Sequence, residues 1–296
     1  MPNVWEAMKK HQAEEIAKAE AIAKAKAAKA AQLEKVAQAK PPTTKDKKLV
    51  QAQAKQMTKA PAVPTMVPRM MPTGQKYSSV LMPHYDRGGP IAEQYRALRT
   101  NLLARATNDK ICTLITSADP GEGKTVTCLN LAMVLAERQE FRTIVVDCDL
   151  RKGKVAELLG QTKAPGMANL LRDQVTLKDV IRPTAYPNVS FIPAGEILPE
   201  QVGELITKPK MEDIFTDIRR KFDFILVDTP PVNAVADAGI FGRSVAEAIL
   251  IVRMNKTSRD SVDRAVRLLH AAEIKVSGMV LTHQQYFIPN YLYRYS

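Results

Sequence analysis

The chain has 296 residues, and its 43 Lys and Arg residues outnumber 31 Asp and Glu residues to give a formal net charge of +12. No stretch of about 18 apolar residues occurs, so no transmembrane helix is predicted, and the N-terminus has no apolar signal-peptide region. Its three cysteines, Cys112, Cys128 and Cys148, lie in apolar patterns without metal-ligand spacing. This excludes a disulfide framework and favours reduced thiols in the cytoplasm.

The basic charge is concentrated at the start of the chain. Residues 1–75 hold 14 Lys and Arg against 6 Asp and Glu, a net charge of +8. Residues 1–40, rich in Ala and Lys, are predicted to form a basic helical extension with a thin apolar stripe, either solvated or bound to a partner. A basic helix can also contact anionic lipid or nucleic acid, but these residues lack the interleaved aromatic residues of a single-strand binder, so no nucleic acid partner is expected. The prolines of residues 41–75 predict a linker, and the globular domain is expected to span 76–285.

A helix is predicted from Pro90 to Arg105, with the proline in its first turn. Glu93, Arg96 and Arg99 recur at every third position of this helix and therefore lie along one face. This face is either exposed to solvent with one local ion pair, which stabilises little, or in contact with another subunit.

A glycine-containing loop at residues 118–125 follows an apolar strand and precedes a helical pattern at 126–137. Strand, glycine loop, Lys-Thr and helix together form the context of a P-loop. Gly121 and Gly123 allow successive backbone N–H groups to point at an anion, and the helix N-terminus favours negative charge there. Ala118 stands where the general pattern has its first glycine.

Two side chains of this loop have assigned roles. Lys124 is predicted to reach the β- and γ-phosphates of a nucleotide, and the Thr125 hydroxyl to bind Mg²⁺. The predicted nucleotide-binding residues are Asp119, Pro120, Gly121, Glu122, Gly123, Lys124, Thr125 and Val126.

Later strands end in carboxylates. Residues 142–151 read as a buried strand with Asp147 and Asp149 at alternate positions, so both are predicted to point to the same side. Another apolar strand ends at Asp228, where it would hold Mg²⁺ directly or through water. Ligands gather at the carboxyl ends of parallel strands, so these acids are candidates for metal binding and proton acceptance. A turn or a helix cap is the alternative role for the first two.

The rest of the domain alternates strands with helices. Helical patterns surround one strand at 189–193, and two more apolar strands, at 248–253 and 276–281, flank a helix at 258–272. This order predicts an α/β fold with a doubly wound, mostly parallel sheet and right-handed crossovers.

The tail at residues 286–296 holds four of the eight tyrosines of the chain. They are Tyr286, Tyr291, Tyr293 and Tyr295. An edge strand or an aromatic interface is one interpretation of this cluster. A set of phosphate acceptors close to a nucleotide site is the other.

Taken together, these motifs resemble the cytoplasmic catalytic domain of the bacterial P-loop tyrosine kinases, the autokinases of polysaccharide export and polymerisation, in the MinD/ParA-like branch of the P-loop NTPase fold. The Walker A, A′ and B motifs of that family match residues 118–125, 144–151 and 225–231. Its oligomerisation motif matches Glu93, Arg96 and Arg99, and its tyrosine cluster matches the four tail tyrosines as phosphoacceptors.

The resemblance implies an ATP-dependent protein-tyrosine autokinase with ATP and Mg²⁺ as cofactors. Its tail would be phosphorylated in trans within a ring-like homo-oligomer, and the activity would regulate exopolysaccharide or capsule polymerisation and export. Implied partners are a separate transmembrane chain-length regulator and a protein-tyrosine phosphatase. The protein would then be cytoplasmic and recruited to the inner face of the membrane through its partner.

The resemblance also assigns roles to single residues. Lys124 neutralises the phosphates, while Thr125, Asp149 and Asp228 hold Mg²⁺. Asp147 is the first choice for accepting the tyrosine proton, although Asp147 and Asp149 could exchange roles. Arg151 would stabilise developing phosphate charge. At residue 282, where many relatives of the fold place an Asn near adenine, this chain has Thr.

Two other functions are the alternatives, and single residues count against each. A partitioning or positioning ATPase of the same fold carries a second lysine near the start of the P-loop, where this chain has Asp119. A non-catalytic nucleotide-binding adaptor of a membrane polysaccharide complex would not need the intact set of Lys124, Thr125, Asp147, Asp149 and Asp228.

Overall fold

The computed structural model describes residues 76–106, 110–207 and 210–284. The predicted helical extension at 1–40, the linker at 41–75 and the tyrosine tail at 286–296 lie outside the described residues. The strands are β1 (Ile111–Ser117), β2 (Thr143–Asp147), β3 (Arg182–Pro183), β4 (Val189–Ile192), β5 (Phe224–Asp228), β6 (Glu247–Arg253) and β7 (Lys275–Thr282). The helices are α1 (Met82–Tyr85), α2 (Pro90–Leu103), α3 (Lys124–Leu135), α4 (Val155–Leu158), α5 (Met167–Leu171), α6 (Leu177–Val180), α7 (Val202–Ile206), α8 (Lys210–Lys221), α9 (Asp237–Arg243) and α10 (Arg259–Ala271), with a 3₁₀ turn at Pro199–Gln201.

The strands form one sheet in the order β3-β4-β2-β5-β1-β6-β7. Neighbouring strands are parallel except β3 and β4, which are antiparallel. The predicted doubly wound, mostly parallel sheet is therefore confirmed. Strand β3 was not predicted, because two residues that include a proline carry no periodic signal.

Both faces of the central strands β1, β2, β5 and β6 are buried, as their apolar runs predict, whereas the edge strand β7 is only partly buried. Successive residues of β1 face opposite sides: Leu114 packs in one core cluster with Phe215 and Leu269, whereas Ile115 packs in the other with Leu131 of α3. All of these side chains are fully buried. Burial of each stabilises the fold by about 1.5–3 kcal/mol relative to exposure. None of the described helices is long and apolar enough to span a bilayer.

The carboxyl ends of β1, β2 and β5 meet at one edge of the sheet. Asp228 at the end of β5 is in register with Asp147 of β2 on one side and with Ile115 of β1 on the other. The prediction that residues 142–151 form one strand was wrong, because β2 ends at Asp147 and Asp149 lies in the turn that follows. The Asp147 carboxylate itself bends the chain, since it accepts hydrogen bonds from the N–H groups of Asp149 and Val155.

Candidate active site

The P-loop has the backbone conformation that its glycines predict. Gly121 has φ 79° and Gly123 has φ 91°, both in the left-handed region that other residues rarely adopt. Gly123 is the N-cap of α3, so the loop leads directly into the positive end of that helix. Ala118 is buried, and its carbonyl accepts the Asn233 N–H at 3.2 Å. An alanine is accommodated there because the turn depends on the two later glycines.

Lys124 extends from the first turn of α3 into a group of carboxylates. Its Nζ atom donates to Asp149 Oδ2 at 2.8 Å and lies 3.7 Å from Asp228 Oδ1. Burial lowers the pKa of Lys124, but the Asp228 and Asp149 carboxylates more than offset this and raise the pKa above its ordinary value. The side chain is therefore a cation at neutral pH, as phosphate binding requires.

Thr125 and Asp228 form the second half of the site. The Thr125 hydroxyl donates to Asp228 Oδ2 at 2.7 Å. The other oxygen, Oδ1, is buried and accepts no hydrogen bond. Burial raises the pKa of Asp228 to about 6, while Lys124 and the hydrogen bond from Thr125 keep it from rising further.

These oxygens fit the predicted Mg²⁺. The unpaired Asp228 oxygen, the Thr125 hydroxyl and the Asp149 carboxylate are hard oxygen ligands of the kind that Mg²⁺ prefers. No group of three His, Cys, Asp or Glu side chains in the described ranges is arranged to hold a metal alone. Mg²⁺ is usually held by one or two carboxylates together with substrate phosphates.

Asp147 lies beside Asp228 and is 1% exposed. Its Oδ1 and Oδ2 atoms accept the N–H groups of Asp149 and Val155 at 3.2 and 3.1 Å. Burial raises the pKa of Asp147 well above its ordinary value, and the Asp228 charge raises it further. Asp147 and Asp149 therefore differ in environment, since Asp149 contacts Lys124 and Asp147 is held by backbone amides.

Arg151 is held at the same edge by Asp237, the first residue of α9. Its Nε atom lies 2.7 Å from one carboxylate oxygen of Asp237, and its Nη2 atom 3.3 Å from the other. A further hydrogen bond joins Nη1 to the carbonyl of Pro199 at 3.1 Å. Such a two-point contact fixes the guanidinium plane. A role for Arg151 at a phosphate remains a prediction.

The predicted oligomerisation motif on α2 is tied to α3 within the same chain. Arg96 Nε lies 3.0 Å from both carboxylate oxygens of Glu137, and Arg99 Nη1 lies 2.6 Å from one of them. Arg96 also pairs with Glu93 at 2.5 Å. The local ion pair between Arg96 and Glu93 is therefore present, and Glu137 of the same chain adds contacts that the sequence did not predict. A subunit contact through these residues remains a prediction.

Sequence reasoning missed Glu137 and a second group of polar side chains that contact the P-loop from outside. These are Thr257, Ser261 and Asn233, with Thr282 at the end of β7. Their common signal is position at one edge of the sheet, because Asn233 follows β5, Thr257 and Ser261 follow β6, and Thr282 is the last residue of β7. A cavity of about 390 Å³ lies here and is lined in part by Asp119, Ser261 and Arg264. A larger cavity of about 540 Å³ lies between α5, α6 and α8 and contains none of the predicted site residues.

The chain is similar to several known proteins. A family model for an AAA domain matches residues 111–269. CapB of Staphylococcus aureus is 32% identical over 210 residues, which cover 70% of this chain and 91% of CapB. Tyrosine-protein kinase wzc of Salmonella typhimurium is 31% identical over 192 residues, or 64% of this chain, and the match spans only 26% of that longer protein.

The chain is also similar to solved structures of a tyrosine kinase domain and of a cell division ATPase. The kinase domain of Escherichia coli tyrosine kinase ETK has a TM-score of 0.64 and 27% identity, covering 71% of this chain and 83% of that one. The cell division ATPase MinD of Pyrococcus furiosus has a TM-score of 0.51 and 26% identity, covering 62% of this chain and 77% of MinD.

Proposed function

The chain belongs to the family of bacterial P-loop tyrosine-protein kinases, and we propose that it is an ATP-dependent autokinase that phosphorylates its own C-terminal tyrosine cluster in trans. The observation that carries this proposal is the meeting of Lys124, Thr125, Asp149 and Asp228 at one sheet edge. These groups are what phosphoryl transfer needs, namely a cation for the phosphates and hard oxygens for Mg²⁺.

Different residues would bind the phosphates, hold the metal ion and stabilise the developing charge. Lys124 and the P-loop N–H groups bind the phosphates and orient them. Thr125, Asp228 and Asp149 would hold Mg²⁺, which would neutralise phosphate charge when bound. Arg151, oriented by Asp237, faces the developing charge.

In the transfer step the tyrosine oxygen forms a bond to the γ-phosphorus, and the bond from that phosphorus to the β,γ-bridging oxygen breaks to release ADP. Asp147 accepts the tyrosine proton, with Asp149 as the alternative acceptor. Measuring kcat and the KM for ATP of Asp147→Asn and of Asp149→Asn assigns the role. Loss of the proton acceptor lowers kcat more than it raises the KM for ATP.

The biological setting follows from the family. We infer that the kinase acts as a homo-oligomer, is recruited to the inner face of the membrane by a transmembrane chain-length regulator, and is reversed by a protein-tyrosine phosphatase. Its output is regulation of exopolysaccharide or capsule polymerisation and export. The relatives named as tyrosine-protein kinases support the kinase activity, and the role in polysaccharide export rests on the family resemblance.

The decisive experiment is incubation of the full chain with Mg-ATP, followed by mass mapping of phosphate. Phosphate is expected on Tyr286, Tyr291, Tyr293 or Tyr295, and a variant with these four changed to Phe is the control. ATP hydrolysis without phosphotyrosine would instead favour a positioning-type ATPase. Bound nucleotide with neither reaction would favour the non-catalytic adaptor.

A further inference from the structure

The P-loop carries two acidic residues, Asp119 and Glu122, in a loop whose proposed ligand is a polyanion. A carboxylate near a phosphate raises the energy of the bound anion by Coulomb repulsion. Glu122 is also only 2% exposed, and a buried carboxylate is costly unless its oxygens are satisfied. The two side chains therefore need partners that hold their charge away from the phosphate side of the loop.

Glu122 links the loop to two other segments. One carboxylate oxygen accepts the N–H of Asp119 at 2.9 Å, and the other accepts the hydroxyl of Thr257. Its backbone carbonyl accepts the hydroxyl of Thr282 at 2.7 Å. The side chain thus closes a turn within the P-loop and fastens that turn to the segment after β6.

Asp119 makes the second link. Its Oδ2 atom accepts the Ser261 hydroxyl at 2.5 Å, and its Oδ1 atom lies 3.5 Å from the Asn233 amide nitrogen. The same amide donates to the Ser261 hydroxyl at 2.9 Å. Asp119 is thereby joined to α10 and to the loop after β5.

The hydroxyl groups that donate to these carboxylates are themselves held in place by hydrogen bonds. Thr257 accepts the N–H of Arg253 through its hydroxyl at 3.3 Å and donates its own N–H to the Arg253 carbonyl at 3.1 Å. Strand β6 pairs with β1, with Ile251 opposite Ser117. The segment after β6 therefore lies alongside the P-loop because of strand register.

We propose that Thr257 and Ser261 are positioning residues for the nucleotide. By donating hydrogen bonds to Glu122 and Asp119, they hold both carboxylates on the outer side of the P-loop and keep the loop N–H groups aimed at the phosphates. They act through the loop and do not touch the substrate. The inference deepens the proposed function, on which it rests for the identity of the ligand.

The test uses the full chain and measures the Kd for Mg-ATP and Mg-ADP by titration calorimetry. Thr257→Val keeps the shape of the side chain but removes the hydroxyl, and Ser261→Ala removes the other. Each is expected to weaken nucleotide binding about tenfold, because hydrogen bonds to charged groups are the stronger class. Thr257→Ser retains the hydroxyl and is expected to bind within about twofold of the parent.

Thr184→Val is the matched control, because the Thr184 hydroxyl lies close to the carbonyls of Tyr186 and Val189, away from the P-loop, at 3.2 and 2.8 Å. This change is expected to lower the thermal midpoint and leave the Kd unchanged. A double-mutant cycle of Thr257→Val with Glu122→Gln should be non-additive, since the threonine acts through the glutamate.

The proposal is overturned if Thr257→Val and Ser261→Ala bind Mg-ATP as tightly as the parent, or if Thr184→Val weakens binding equally. A parent chain that binds no nucleotide overturns the proposed function and this inference together. A parent that binds nucleotide but phosphorylates no tyrosine overturns only the proposed function, and the Kd comparison still decides the role of the hydroxyls.

Discussion

Replacement of Lys124 by Met is expected to destabilise the fold as well as stop phosphoryl transfer. The Lys124 ammonium lies 2.8 Å from Asp149 and 3.7 Å from Asp228, and its side chain is 13% exposed. At an effective dielectric constant of about 20, each such contact is worth roughly 4 kcal/mol. Part of this gain offsets the cost of burying the ammonium, so we expect the variant to lose about 3 kcal/mol, the lower end for removing one partner of a buried pair.

The measurement is urea unfolding at pH 7 with chelator present, together with the thermal midpoint. For a domain of about 200 residues, a loss of 3 kcal/mol corresponds to roughly 6–12 °C in Tm. Lys152→Met, at an exposed position in the turn after β2, is the control and is expected to change stability by less than about 0.5 kcal/mol.

Adding Asp149→Asn to the Lys124 variant should restore part of the loss, because it removes one of the stranded charges. A Lys124→Met protein as stable as the parent would refute the reasoning. It would mean that the neighbouring carboxylates do not depend on the lysine for their charge balance.

Three further outcomes are expected. Burial raises the pKa of Glu137, but hydrogen bonds from Arg96 and Arg99 lower it below its ordinary value, so its stabilising contribution is present at neutral pH and is lost as the pH falls through the folded-state pKa. Glu137→Gln should therefore cost up to about 1 kcal/mol at pH 7 and progressively less in acid, and a difference that does not change with pH would contradict this. Changing Arg96 and Arg99 together to Ala should convert an oligomer to a monomer and slow phosphorylation in trans, and an unchanged mass by light scattering would reject a subunit contact. A chain beginning at Lys76 should still bind Mg-ATP by calorimetry, and loss of binding would place the first 75 residues in the nucleotide-binding unit.

Most of the sheet could be predicted because its central strands are buried on both faces and therefore appear as continuous apolar runs. Strand β3 could not, since two residues make no pattern. The end of β2 was misplaced for a local reason: the Asp147 side chain bonds to the N–H groups of the next turn, and this outcompetes continuation of the strand.

The site likewise has a part that the sequence predicts and a part that it does not. Gly121, Gly123, Lys124 and Thr125 act within one short segment, so their spacing alone predicts the phosphate-binding loop. The partners of the loop acids are remote, because Thr257 is 135 residues from Glu122 in the chain. Glu137 is 41 residues from Arg96. Such contacts arise from the packing of helices and strands, and no periodic pattern in the sequence predicts them.

The register between Asp147 and Asp228 also matters for anyone who wishes to redesign this domain. Their separation is set by the hydrogen-bond ladder of β2, β5 and β1, not by packing of the two side chains. A slip of one residue moves a strand by about 3.3 Å and turns every side chain to the opposite face. An interior substitution that shifts the ladder would therefore inactivate the site even though every site residue is still present in the sequence. The three central strands have to be transplanted as a unit, whereas the outer strand β3 contributes no residue to the site.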